Sequence, residues 1–286
     1  MICSIIANPE RSNRHDAVHD VAKLLIQKNL TVCISSELAE HWPDLPTEVK
    51  VFGSELKAVT ASDTVIAIGG DGTMLHTAQV VFDSNKPILG INSGRLGFLA
   101  DTKISEIDQA FDSLIEGSWD LDERFMLKAT SNGSEFFALN EFLFTKHATV
   151  SMVTLEVWCD GIPVNKYWAD GLIIATPTGS TAYNLSSGGP VILPETEVMV
   201  ITPISPHTLT TRPLVIGANK KIRVRSIGLT DGILFSNDGK ICEIDQKPLD
   251  IEITKSDFTV KLIKLKGRNY FETLRSKLMW GLDIRD

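Results

Sequence analysis

Apolar residues in the first hundred positions come in short, nearly unbroken runs separated by amphipathic stretches. Ile2–Ala7 (ICSIIA) is such a run, as expected of a strand covered on both faces. Val18, Val21, Ala22, Leu24 and Leu25 then recur at helical spacing, and Leu30–Ile34 returns to the strand pattern. Thr64–Ile68 (TVIAI) predicts another buried strand and is followed at once by Gly69-Gly70-Asp71-Gly72-Thr73. Met74–Val81 reads as a helix, and Pro87–Ile91 as a further buried strand. Ile104, Ile107, Ala110, Phe111, Leu114 and Ile115 make an amphipathic helix that stops at Gly117. Strands and helices alternating at these lengths imply a parallel sheet with helices on both faces.

Beyond residue 120 the period changes from helical to two. Thr154–Cys159 alternates apolar and polar side chains, turns at Asp160-Gly161 and resumes at Ile162. Asp231-Gly232 and Asp238-Gly239 mark further hairpin turns. Tyr270–Met279 reads as a helix that packs back on the first domain. The expected fold is therefore α/β plus β. A Rossmann-like α/β domain comprises 1–119 plus 268–286, and an antiparallel, sandwich-like β-rich domain comprises 120–267.

Composition sharpens the class. A chain of 286 residues suggests about two domains, and 43% hydrophobic with 22% charged residues is ordinary globular usage. Four scattered cysteines (Cys3, Cys33, Cys159, Cys242) form no C-x-x-C pair, which predicts reduced thiols and no structural zinc. A formal charge of −8 argues against a nucleic-acid binder or a coat on anionic membranes. No run approaches the roughly 18 apolar residues of a membrane span, and Met1–Ala7 lacks the basic lead and length of an export signal. A cytoplasmic protein is expected. The cluster Lys261–Arg268 (KLIKLKGR) reads as edge-strand charge that resists aggregation.

Three segments carry candidate chemistry. In Thr64–Ala78 a buried strand ends, three glycines and an aspartate intervene, and a helix begins. Glycines let backbone N–H groups approach a polyphosphate, and the helix N-terminus adds positive potential. Neither a G-x-x-x-x-G-K-[ST] loop nor a complete G-x-G-x-x-G is present. The plainer alternative is a tight turn with Asp71 or Thr73 capping the helix. A carboxylate at Asp71 can orient an attacking hydroxyl and accept its proton, and in phosphoryl transfer positioning outweighs base strength. In the second segment, Ala138–Phe144, Asn140 and Glu141 sit inside an apolar strand-like run and form either a structural pair or a ligand site. The third, Ala169–Ile192, runs from a buried strand, Leu172–Ala175, into TPTGSTAY. Its hydroxyls, tyrosine and small residues suit a pocket for a ribose and a flat base.

Together the segments resemble those of the NAD kinases, which phosphorylate the 2′-hydroxyl of the adenosine ribose of NAD with ATP. The resemblance rests on GGDGT at 69–73, NSGRLGF at 92–98, LNE at 139–141, DGLIIATPTGSTAY at 170–183 and SPHTLTTRPLV at 205–215. It implies an N-terminal α/β and a C-terminal β-rich domain with NAD between them. It also implies ATP phosphates on Gly69, Gly70, Gly72 and Thr73. The six histidines show no metal-ligand spacing, so a divalent ion, Mg²⁺, is expected to arrive with the nucleotide rather than in a protein metal site. Asp71 matches the general base and Gly72 lies beside the substrate. His76 matches a position near the NAD phosphates, the alternative being a partly exposed helix residue. Phe98 matches a pocket-lining position, or else a core residue. Asn140 and Glu141 match the NAD-binding pair. Asp170, Thr181, Ala182, Tyr183, Asn184, Leu185 and Ser186 match the segment that contacts the adenine and nicotinamide ends. Part of that segment comes from a neighbouring subunit in the family, which implies a homodimer or homotetramer.

Two positions depart from the pattern. Trp168 stands where many relatives carry Arg or Lys, so other groups must supply that cation. Lys240 stands where some relatives have a glutamine ligand, or is a solvated lysine past its turn. Both bear on donor range, including other triphosphates and polyphosphate, and on NAD versus NADH. The rival readings are another GGDGT kinase acting on a lipid or sugar, and a non-catalytic NAD-binding module.

Overall fold

The runs that are apolar throughout become the central strands of a parallel sheet. The computed structural model describes residues 1–8, 15–42, 44–94, 97–146, 151–228, 233–244 and 248–279. The chain divides into two units, Met1–Glu123 with the chain from Val260 onward, and Arg124–Thr259.

The first unit opens with β1 (Ile2–Ala7), α1 (His15–Gln27), β2 (Thr31–Ser35), α2 (Ser36–Glu40), β3 (Lys50–Phe52) and α3 (Glu55–Thr60). It continues with β4 (Thr64–Gly69), α4 (Asp71–Val81), β5 (Ile88–Asn92), the two-residue β6 (Thr102–Lys103) and α5 (Ile107–Glu116). The strands pair in parallel in the order β3-β2-β1-β4-β5. Sequence order runs outward in both directions from β1, so the β1/β4 boundary is the point where an open α/β sheet leaves a crevice for ligands. The GGDGT turn closes β4 on that boundary. Ile5, Ile34, Ile66, Ile68 and Leu89 of the strands bury against Val21, Leu25, Phe111 and Leu114 of α1 and α5, each worth about 1.5–3 kcal/mol. Gly117 ends α5 in the left-handed region at φ 69°, where glycine has no Cβ to strain. Three short elements, α2, β3 and α3, have no counterpart in the sequence reading, because three to six residues are too few to show a period.

The second unit starts from β7 (Trp119–Ser131), which leads in from the first. It continues through β8 (Ser134–Ala138), β9 (Glu141–Lys146), β10 (Val153–Cys159), β11 (Ile162–Ala169) and β12 (Gly171–Ala175). After the short α6 (Tyr183–Ser186) come β13 (Val198–Ile204), β14 (Leu214–Gly217), β15 (Ile222–Ser226), β16 (Ile233–Asn237) and β17 (Lys240–Cys242). The long β18 (Asp250–Leu265) leads back to the first unit, and α7 (Tyr270–Leu278) follows. One antiparallel sheet has the order β14-β13-β12-β9-β16-β17. Strands β11, β10, β15 and β18 pair antiparallel in a second layer. Phe142, Phe144, Leu172, Ile174 and Phe235 of the first layer share one core with Leu155, Val157, Val224 and Ile251 of the second, the arrangement of a sandwich. Asp160-Gly161 and Asp238-Gly239 take positive φ at both residues and turn the hairpins expected of them, whereas Asp231-Gly232 lies outside the described residues. Among the described residues, no helix is long and apolar enough to cross a membrane.

Two cations of the basic cluster, Lys264 and Arg268, differ from the expectation. Lys264 Nζ pairs with Asp101 at 2.7 Å, and Arg268 reaches the Asp101 carbonyl and, at 2.5 Å, Glu106. These cations fasten the end of β18 to the 101–106 loop. Burial works against the ionised form of Glu106, but the Lys103 N–H and the Arg268 guanidinium outweigh it and hold that carboxyl below its ordinary range.

Candidate active site

In the first unit, every residue of β4 is buried, and Gly70 in extended conformation caps α4 without a side-chain bond. Asp71 is the first residue of the helix, yet its carboxylate does not cap it. Oδ2 accepts from the Phe98 N–H at 2.9 Å, and Oδ1 from Leu99 at 3.0 Å and Ala100 at 3.4 Å. The capping alternative therefore fails for Asp71. A carboxylate offers about four acceptor positions; three are used, which leaves one on Oδ2. The loop that supplies these amides is itself pinned. Asn92 donates to the Ala100 carbonyl (3.3 Å) and accepts from the Gly94 N–H (2.7 Å). Gly97 donates to the same Ala100 carbonyl (3.2 Å). Among the described residues, nothing lies within 4 Å of where a Cβ on Gly70 or Gly72 would point, so that backbone is open to approach, while Gly69 and the Thr73 side chain are buried.

His76, one turn along α4, pairs through Nε2 with Glu55 Oε2 of α3 at 2.6 Å. Phe98 is half-buried beneath α7, its ring 6.3 Å from that of Tyr270 and 5.8 Å from Lys277 Nζ. Both are thus engaged within the first unit.

In the second unit the LNE and TPTGSTAY segments meet. Thr176 Oγ1 donates to the Leu139 carbonyl (2.6 Å) and the Thr176 N–H to that of Asn140 (2.8 Å). A Cβ on Gly179 would fall 2.2 Å from the Asn140 carbonyl oxygen, so only glycine allows this approach. On the opposite side, the Asp238 carboxylate accepts from the N–H groups of Leu139 (2.7 Å), Asn140 (2.8 Å) and Glu141 (3.1 Å). Burial, reinforced by the Asp238 charge, pushes the Glu141 carboxyl up to about 8, and among the described residues its buried Oε2 has no partner.

Asp170 carries an ion pair with Lys146 Nζ at 2.6 Å. Trp168 is half exposed and lies against the ring of His207, centroids 4.2 Å apart. Tyr183 is exposed at the start of α6, with Thr181, Ala182 and Leu185 half-buried and Ser186 exposed. Asn184 is fully buried. Its Nδ2 donates to the Ser180 and Pro190 carbonyls (3.0 and 3.1 Å), and its Oδ1 accepts from Thr202 at 2.6 Å. What its side chain does is staple the segment from inside. Lys240 is exposed at the start of β17.

Residues 3–119 match the family described as ATP-NAD kinase N-terminal domain, and residues 139–265 match the ATP-NAD kinase C-terminal domain. The chain belongs to the ATP-NAD kinase family. It is 46% identical to a protein named NAD kinase from Cytophaga hutchinsonii, with 100% of both chains covered. It is 37% identical to one from Christiangramia forsetii, with 96% of each covered. Two solved structures share the fold at 24% identity. A yeast NADH kinase complexed with NADH has TM-score 0.89, covering 100% of this chain and 89% of that one. An Archaeoglobus fulgidus NAD kinase in complex with ATP has TM-score 0.77, covering 98% and 99%. Membership of the ATP-NAD kinase family makes the reaction class phosphoryl transfer from ATP to NAD.

Four residues close to the candidate positions of this ATP-NAD kinase family member escaped the sequence reading: Glu55, Gly97, Lys146 and, as a carboxylate, Asp238. Gly97 lies in NSGRLGF, but its closeness to Asp71 is a tertiary fact. Lys146 was within reach of pattern reading, as the cation that ends the strand beginning at Glu141.

Proposed function

We propose that this chain transfers the γ-phosphate of ATP to the 2′-hydroxyl of the adenosine ribose of NAD, with Asp71 as the group that positions the hydroxyl and takes its proton. The observation that carries this reading is the Asp71 carboxylate itself, held by three backbone amides with one acceptor position of Oδ2 left over. A hydroxyl that donates to Oδ2 is oriented for in-line attack; the new O–P bond forms as the bond to ADP breaks, and the proton passes to Oδ2. The open backbone at Gly70 and Gly72, with the N-terminus of α4, suits the ATP phosphates. Mg²⁺ enters as part of the substrate, on phosphate oxygens.

Recognition of the dinucleotide falls to the second unit, with Asn140, Glu141, Asp170 and the exposed Tyr183 as the contacts. Trp168 brings no charge, and Lys146, which ion-pairs with Asp170, supplies the cation in its place. Asn184 contributes by holding the segment rather than by touching NAD. We also infer a cytoplasmic enzyme, supported by four unpaired cysteines. A homo-oligomer is supported by exposed Trp168 (50%) and Leu209 (88%).

The test is coupled detection of NADP from the purified protein with NAD, ATP and Mg²⁺. Asp71→Asn should lower kcat about 10²- to 10⁴-fold while NAD affinity changes far less. Turnover close to wild type would refute the assignment, and NAD binding without any NADP would favour a non-catalytic module.

A further inference from the structure

We propose that Asp238 is a positioning residue for NAD recognition: it fixes the backbone of Leu139, Asn140 and Glu141 so that recognition is delegated to the Asn140 and Glu141 side chains. This rests on the reading of that pair as NAD-binding. Every backbone polar group of the three residues has a partner. The three N–H groups donate to the Asp238 carboxylate. The carbonyls of Leu139 and Asn140 accept from Thr176, and that of Glu141 accepts from the Asp238 N–H at 3.1 Å. The main chain therefore has no unused donor to offer a dinucleotide. What remains are two side chains, and one of them, Glu141, has a buried oxygen without a partner among the described residues. A buried polar atom of that kind is costly unless a ligand completes it.

The turn is shaped for this task. Asp238 adopts φ 45° and Gly239 φ 83°, the I′ geometry that an Asp-Gly pair accommodates. Asp238 serves as turn residue and acceptor at once. Its charge also acts on Glu141, and among the described residues it is the one charged neighbour that raises that carboxyl. With the Glu141 proton retained, that side chain is a hydrogen-bond donor toward a ribose or carboxamide oxygen.

Asp238→Asn replaces one acceptor oxygen by an N–H₂ facing a backbone N–H and removes the charge. The KM for NAD should rise roughly tenfold, while the KM for ATP stays unchanged. The alkaline limb of kcat/KM for NAD, set by ionisation of Glu141 in the free enzyme, should move to lower pH. A residue that only supported the fold would leave that limb in place. Gly239→Ala provides a second variant. Among the described residues, nothing lies within 4 Å of its Cβ, but a side chain at φ 83° strains the turn, so KM for NAD should rise with the limb unmoved. If Asp238→Asn, or Gly239→Ala should the former not fold, leaves the KM for NAD at the wild-type value, the proposal is wrong. Glu141→Gln separates the two levels of the argument. Should it abolish the alkaline limb and raise the KM for NAD while Asp238→Asn changes neither, only the positioning role fails. Should it change neither itself, the assignment of Glu141 to NAD fails with it.

Discussion

A Cβ placed on Gly97 would fall 2.0 Å from Asp71 Oδ1. Position 97 is closed to every side chain for as long as Asp71 keeps its three amide bonds. The constraint is steric, since Gly97 is not among the glycines at positive φ. Gly97→Ala should therefore displace the carboxylate and lower kcat by roughly 10²-fold, the cost of misplacing a catalytic group by about 1 Å. Steady-state assays of NADP formation measure it, and the KM for NAD should stay near its wild-type value. An unchanged kcat would show that the Asp71 geometry does not limit turnover.

The strand-turn-helix at GGDGT was legible because an unbroken apolar run stops at glycines and a helix pattern resumes. The hairpin at Asp238-Gly239 was legible for a similar local reason. Their partners were not. Phe98–Ala100 reach Asp71 across 27 to 29 residues, and Asp238 reaches Leu139 across 99; no period in a sequence encodes such approaches. Asn184 stood among ligand contacts by motif alone, although its amide satisfies the interior. Lys264 and Arg268 looked like solvated edge charges because their acidic partners lie in a distant loop.

Lys146 should matter to the dinucleotide rather than to ATP. Lys146→Met removes the cation beside Asp170 while keeping the length of the side chain. The expected result is a rise of roughly tenfold in the KM for NAD, the worth of one charge-assisted hydrogen bond, with the KM for ATP constant. Kinetics with each substrate varied in turn decide it.

Glu141 should make stability depend on pH. Its carboxyl rises from the ordinary 4.5 to about 8 in the folded chain. Between those values the folded protein holds a proton that the unfolded chain has released. Stability from this group is thus fully present below 4.5 and lost as pH climbs to about 8. Glu141→Gln, neutral throughout, should flatten that slope and melt at a higher temperature than wild type above pH 8. Thermal unfolding across the range provides the check, and parallel slopes would contradict it.

Asn184 should behave as a core residue. Asn184→Ala strands the Ser180 carbonyl and the Thr202 hydroxyl in the interior and takes the Nδ2 donor from the Pro190 carbonyl. A loss of about 3 kcal/mol is expected, read from urea unfolding. A loss below about 0.5 kcal/mol, within the range of surface changes, would mean that water or repacking replaces the amide.

The loop that grips Asp71 is held from behind by residues made far later. Asp101 waits 163 positions for Lys264, and Phe98 waits for Tyr270. A nascent chain emerging from the ribosome has its glycine turn early but lacks the clamp that steadies the carboxylate until Lys264 and Tyr270 have followed. Phosphate-transfer competence consequently waits on both halves of that clamp, and a fragment stopping at residue 123 would be born without it.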